Sequence, residues 1–257
     1  MKVLFIGDIV GKVGRMVISE VLHKVIDQYK VDFCIANCEN AAGGFGITID
    51  IANILFDFGI NILTSGNHIW NKKEAFDLIT RDKRVLRPAN YPEEAPGYGS
   101  IVTETASGDK IGVINLSGRV FIDTLDCPFK VALREIKNIG TNCEVIIVDM
   151  HAEATSEKIA IGWYLDGKVS AVIGTHTHVQ TADEKILPGG TAYITDVGMT
   201  GPSDSVIGIK KELAIERFVS RVPKKFETAK GRGQLNGVVV EIDKHSGVAK
   251  EIKRIQI

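Results

Sequence analysis

Cysteine is scarce. The 257 residues hold four, and the closest pair is Cys34-x-x-x-Cys38, so neither a Cys-x-x-Cys zinc knuckle nor a redox motif of that spacing is present. Charge of one sign is not in excess either. Thirty-one Lys and Arg stand against 32 Asp and Glu, a net charge of −1. That is no footprint for a nucleic-acid surface, and recognition of duplex DNA is not expected. No apolar run approaches the roughly 20 residues of a membrane span. The opening run, Val3 to Gly7 followed by Asp8, is far too short for an export-signal core. Cys34, Cys38, Cys127 and Cys143 therefore read as reduced thiols of a cytoplasmic protein. A triphosphate-binding loop is missing too. Gly7-Asp8-Ile9-Val10-Gly11-Lys12 has three residues between its glycines rather than four, and Val13 stands where a magnesium-binding hydroxyl belongs. No repeat or low-complexity segment is visible. What remains is 44% hydrophobic and 25% charged, an ordinary globular composition, read as a single domain over residues 1–257.

Histidine is also sparse, with six in the chain, yet two fall together in Gly174-Thr175-His176-Thr177-His178. The run before them, Val169 to Ile173, is short and β-branched and reads as a buried strand. In an extended segment, side chains two apart point the same way, so His176 and His178 are expected to converge just past a strand end. Four other apolar runs end in groups able to bind metal. Val3 to Gly7 leads to Asp8. Phe33 to Ala36 leads through Asn37 and Cys38 to Glu39 and Asn40. Ile62 to Gly66 leads to Asn67 and His68, and Val145 to Val148 leads to His151. Each has an ordinary use alone: Asp8 as a helix cap, Asn67 in a turn, His151 in a loop. Open α/β sheets bind ligands at the carboxyl ends of their strands, and five such ends describe one site.

Strand-like runs alternate with helical stripes, which predicts a layered α/β fold. Helices are expected over 11–28, 49–58, 72–79, 129–139 and 157–165, with Trp70 or Asn71 opening the third and Ser156 capping the last. Residues 235–242 and 249–257, joined by Asp243-Lys244-His245-Ser246-Gly247, predict a hairpin and hence two sheets. The stretches 81–99 and 201–233 hold five of the seven prolines, and the second also carries a basic cluster from Arg217 to Arg232. They read as excursions near the active edge, packed as a small cap.

Carboxylate, carboxamide and imidazole without thiolate suit Mn or Fe, with Zn allowed. Seven groups (Asp8, Glu39, Asn40, Asn67, His151, His176 and His178) are too many for one catalytic ion and suffice for two if one carboxylate bridges. Two ions about 3.5–4 Å apart are a device for in-line displacement at phosphorus. Adjacent Glu39 and Asn40 must lie where a strand gives way to a turn, which Ala41-Ala42-Gly43-Gly44 favours.

In that order the motifs resemble the calcineurin-like metallophosphoesterases, a four-layer α/β/β/α sandwich of two mixed sheets. Gly7 to Lys12, Gly66-Asn67-His68-Ile69-Trp70, His151 to Lys158 and Thr195 to Pro202 are similar, more narrowly, to the YmdB-type branch. The resemblance covers nearly the whole chain. It implies a dinuclear phosphodiesterase acting on 2′,3′-cyclic nucleotides through a hydroxide that bridges the ions. One ion would take Asp8, Glu39, Asn40 and His178, and the other Glu39, Asn67, His151 and His176. His68 matches the family's proton donor. The chain departs from the wider superfamily at Val10, where a histidine is usual. Ala42 replaces the carboxylate that orients the catalytic histidine, and Gly43 replaces an arginine that grips phosphate. The expected substrate is a small phosphodiester or an RNA end, and a homo-oligomer is allowed. Two alternatives remain at this level: a phosphomonoesterase or protein phosphatase, and a non-catalytic metal-stabilised scaffold.

Overall fold

A computed structural model describes residues 1–141 and 143–257. The first third runs β1 (Lys2–Ile6), β2 (Asp8–Ile9), α1 (Gly11–Tyr29), β3 (Phe33–Asn37), α2 (Ile49–Asp57), β4 (Ile62–Thr64), a 3-10 turn (Ile69–Asn71) and α3 (Lys73–Arg81). The middle runs β5 (Ser100–Glu104), β6 (Lys110–Ser117), α4 (Pro128–Ile139), β7 (Val145–His151), α5 (Thr155–Leu165) and β8 (Ala171–Thr175). The last third runs β9 (Lys185–Ile186), β10 (Ala192–Ile194), β11 (Met199–Pro202), α6 (Lys211–Ser220), β12 (Gly233–Gln234), β13 (Asn236–Ile242) and β14 (Ala249–Gln256).

Two mixed sheets carry the fold, ordered β14-β13-β1-β3-β4 and β5-β6-β7-β8-β10-β9, with a small β12-β11-β2 sheet beside them. Strand alternation sets the layers. Val3 and Phe5 of β1 face Val145 and Ile147 of β7 and Ile173 of β8 in a core between the two sheets. Their neighbours Leu4 and Ile6 turn the other way, onto Ile18 and Leu22 of α1 and Leu55 of α2. On the far side, Val148 and Met150 meet Val131 of α4 and Ile161 of α5. The result is α/β/β/α, as the resemblance implied. No helix among the described residues is long and apolar enough to cross a membrane.

Several local expectations need correction. Ser156 lies inside α5, whose N-cap is Ala154 with no side-chain cap bond. Trp70 and Asn71 belong to the 3-10 turn, and Lys72 is the N-cap of α3. Strand β8 starts two residues later than the apolar run suggested and stops at Thr175. His176 and His178 therefore do not continue the strand. Both sit at positive φ, 98° and 66°, so turns rather than pleat bring them together. The 201–233 stretch contains a helix, α6, which its sequence did not announce.

Candidate metal centre

Every ligand candidate sits at the carboxyl edge of the strands. Gly7 can follow β1 because it has no Cβ: one there would collide with the Gly198 carbonyl. Asp8 is thus delivered fully buried onto β2, where it pairs with Met199 of β11. Beyond β3 the chain turns at Glu39 and Asn40, held by Gly44 N donating to Asn40 O at 3.1 Å and Gly11 N donating to the same oxygen at 2.9 Å. Gly66 is another enforced glycine, since a Cβ would strike the His151 ring and the Glu39 carboxylate. That close approach is what lets Asn67 and His68 lean over Glu39, with His68 N donating to Glu39 Oε2 at 3.2 Å.

The seven predicted groups form one cluster. Ligand atoms of Glu39, His151 and His176 lie within 4.8 Å of one another, as do those of Asp8, Glu39 and His178, so Glu39 belongs to both sets. Asn67 Oδ1 is 3.2 Å from His151 Nε2. Asn40 Nδ2 reaches Glu39 Oε1 at 3.0 Å and His178 Nε2 at 3.2 Å.

Each imidazole has its outer nitrogen occupied. His178 Nδ1 is 2.8 Å from the Ile207 carbonyl, which can only accept, so Nδ1 carries the proton and Nε2 faces inward bare. His176 Nε2 is 3.0 Å from the Glu153 carboxylate, which leaves Nδ1 bare toward the cluster. Thr175 Oγ1 donates to Asp149 Oδ1 at 2.7 Å and must then accept from His151 Nδ1 at 2.9 Å, which frees His151 Nε2. Burial pushes Asp149 up to about 7, against His151 and the hydrogen bonds from Thr64 and Thr175, which favour its ionised form.

Two bare nitrogens, His176 Nδ1 and His151 Nε2, consequently face each other at 3.0 Å, with Glu39 Oε2 3.1 Å from the second, and the inward His178 Nε2 lies 3.9 Å from Asp8 Oδ1. Such a site demands positive charge. With protein groups alone a proton supplies it: burial would lower the His151 pKa, but Glu39 and Asp8 push it up to about 9. Burial together with the charge on His151 drives His176 down to about 3. Burial raises Asp8, and its Oδ1 is fully buried without a hydrogen-bond partner among the described residues. An orphaned carboxylate oxygen beside inward imidazole lone pairs fits a cation and little else.

Sequence reasoning missed the groups that hold these ligands. Asn37 donates to Asp149 Oδ2 at 3.0 Å and accepts from Glu39 N at 3.1 Å. Lys158, fully buried on α5, pairs with Asp196 at 2.8 Å and donates to the Thr175 carbonyl at 3.1 Å. Asp196 in turn accepts from Thr177 N at 2.9 Å, so it fastens the turn between the two histidines. The available signal was a charged residue inside apolar surroundings, as in Val145-Ile146-Ile147-Val148-Asp149-Met150.

The cluster floors a cleft of about 270 Å³ whose lining also includes Val10, Phe45, His68, Ile207, Ile209 and Phe226. His68 is packed edge-on by Phe45, with ring centroids 4.9 Å apart. The excursion 201–233 reaches the cleft through Ile207, Ile209 and Phe226, and none of its basic residues is among the lining.

The YmdB-like protein family matches residues 4–255 of the chain. The 2′,3′-cyclic-nucleotide 2′-phosphodiesterase of Bacillus subtilis is 50% identical, over all of this chain and 97% of that protein. The crystal structure of a novel phosphatase from Mycoplasma pneumoniae is 38% identical with a TM-score of 0.94, covering all of this chain and 93% of the other. A hypothetical protein from Thermus thermophilus, also solved, is 38% identical with a TM-score of 0.93 over all of this chain and 99% of its own.

Proposed function

The chain belongs to the YmdB-like family, and on that premise we propose that it is a two-metal phosphodiesterase whose substrates are 2′,3′-cyclic nucleotides. The observation that carries the reading is Glu39, one buried carboxylate shared by two groups of ligands whose remaining lone pairs all turn inward. Asp8, Glu39, Asn40 and His178 would hold one ion, and Glu39, Asn67, His151 and His176 the other. Asn40 would turn its amide so that the oxygen faces His178. The donor set suits Mn or Fe, with Zn compatible. Bound there, the ions supply Lewis acidity and an acidified water.

The chain's own residues do the rest. Glu153, the Ile207 carbonyl and Thr175 keep the three imidazoles in the ligating tautomer. His68, on the cleft side of Asn67, holds a ring proton for the ribose O2′ as the bond to phosphorus breaks, a general-acid role worth about 10²–10⁴-fold. A pure scaffold has no use for that imidazole.

Charge favours a diester over a monoester. The cleft lining contains no Lys or Arg, while Glu153 adds a carboxylate beside His176. A dianionic monoester would find no cationic side chain there to replace the arginine missing at Gly43. The solved Mycoplasma pneumoniae relative is described as a phosphatase, which makes the monoester the proper rival substrate. The test compares kcat/KM for a 2′,3′-cyclic nucleotide and an aryl monophosphate at equal metal loading. The diester should win; a monoester ahead by about tenfold, or 1.4 kcal/mol of transition-state preference, would replace this reading with a phosphatase.

A further inference from the structure

The cleft has two unlike sides. Its floor is the ligand cluster. Its outer wall is apolar: Phe45 from the turn after β3, Ile207 and Ile209 from the segment before α6, and Phe226 from the segment after it. The wall is built rather than incidental. Ile207 is β-branched yet held at φ 47°, a conformation L residues of its kind rarely adopt. That backbone turn aims the Ile207 carbonyl at His178 and leaves the side chain half exposed on the cleft. Strain of this kind persists where the surroundings enforce it and is a pointer to function. Phe226 is likewise braced from behind, with the Arg217 guanidinium 4.6 Å from its ring centroid. Phe45 packs edge-on against His68 at 4.9 Å, which ties the wall to the catalytic imidazole.

We infer that Phe45, Ile207, Ile209 and Phe226 receive the nucleobase of the substrate and hold it by stacking and apolar contact, without distinguishing one base from another. The inference rests on the nucleotide diesterase reading of the same site. A diester seated on the floor must direct its nucleoside somewhere along the cleft, and this wall is contiguous with the floor. It offers π-faces and aliphatic surface but no side-chain donor or acceptor to read a base edge. Every base has a π-face, so stacking on a phenyl ring is tolerant of sequence. Readout of a particular base requires polar groups aimed at its edge, and the polar lining residues, Glu39, Asn40, His68, Glu153, His176, Thr177 and His178, lie on or beside the cluster. The enzyme should therefore demand a base while accepting any.

The experiment measures equilibrium binding to the metal-loaded protein of adenosine, guanosine, cytidine and uridine 3′-monophosphates, and of base-free ribose 3-phosphate. The same set of 2′,3′-cyclic phosphates is assayed for turnover. The four nucleotides should bind within about fivefold of one another, and all should bind about tenfold or more tighter than the base-free phosphate. In Phe226→Ala that ratio should collapse toward one, and Phe226→Trp should preserve it. A ratio already near one in the wild type, a ratio unmoved by Phe226→Ala, or a preference above about 100-fold for one base would overturn the wall. Base-dependent binding without turnover of any cyclic diester would instead sink the diesterase reading and leave the wall standing.

Discussion

Glu39 is used by both halves of the site. Its Oε1 accepts from Asn40 at 3.0 Å, while Oε2 lies 3.1 Å from His151 Nε2 and accepts from His68 N at 3.2 Å. Burial would raise its pKa, but the surrounding imidazoles win and hold it ionised. His68 sits beside this carboxylate without belonging to either ligand set, so its removal should separate chemistry from metal binding. We expect His68→Ala to keep its metal content by elemental analysis while losing about 10²–10⁴-fold in kcat on substrates with poor leaving groups. Loss of metal in that variant would reassign His68 as a ligand. At this scale the sequence was most informative about donors. Asp8, Glu39, Asn40, Asn67, His151, His176 and His178 each follow an apolar run, and the strand edge gathers them. The residues that orient donors were illegible, because Thr175, Glu153 and the Ile207 carbonyl have nothing unusual in type or spacing. Their role depends on which nitrogen faces outward, and three dimensions decide that.

Elements position these side chains through a second buried network. Lys158 on α5, Asp196 after β10 and the carbonyl of Thr175 on β8 meet out of water. Asp196 then fastens Thr177 through both its N–H and its hydroxyl, and so sets the turn that carries His176 and His178. Lys158→Met would leave Asp196 buried and unpaired, a change that costs about 3–5 kcal/mol. Chemical denaturation should show that loss, and metal affinity of the folded variant should fall about 10–100-fold as the outer support goes. Unchanged stability and unchanged metal binding would remove the network from the account. Apolar periodicity located helices α1 to α5 to within two residues at their starts and ends, since each has a stripe to bury. It failed at α6, where Ile215, Phe218 and Val219 are exposed and Ala214 alone is buried. With no buried face there is no period to read. The continuation of β8 failed for another reason. The positive φ at His176 and His178 comes with long-range bonds, His176 N donating to Asp8 Oδ2 at 3.2 Å and Met199 N donating to the His178 carbonyl at 3.1 Å, and local sequence preference would not select it.

Across the whole molecule, two sheets packed face to face place β1, β3 and β4 of one and β7 and β8 of the other with their carboxyl ends at a common edge. Each sheet carries some of the candidate ligands. Glu39, Asn40 and Asn67 follow strands of the first, Asp8 lies on β2 of the small sheet directly after β1, and His151, His176 and His178 come from the second. The centre is thus a joint between halves, and metal binding should be coupled to their packing. The residues alone predicted a layered α/β fold with two sheets, and the four-layer order came with the family resemblance. Strand β1 is apolar throughout Val3 to Ile6, with Val3 and Phe5 facing one core and Leu4 and Ile6 the other, and so shows no alternation to read. The cleft's apolar wall was not legible either, since the most conspicuous feature of the 201–233 stretch is its basic run from Arg217 to Arg232, while Ile207, Ile209 and Phe226 are what it presents to the cleft. The central claim is that one carboxylate serves two ions at this joint. Elemental analysis of metal-loaded, desalted protein tests it most directly. Wild type should retain about two ions, His176→Ala and His178→Ala about one each, and Glu39→Ala close to none, with activity lost in all three variants. A wild type that is fully active without metal, or a Glu39→Ala variant that still holds two ions, would contradict it.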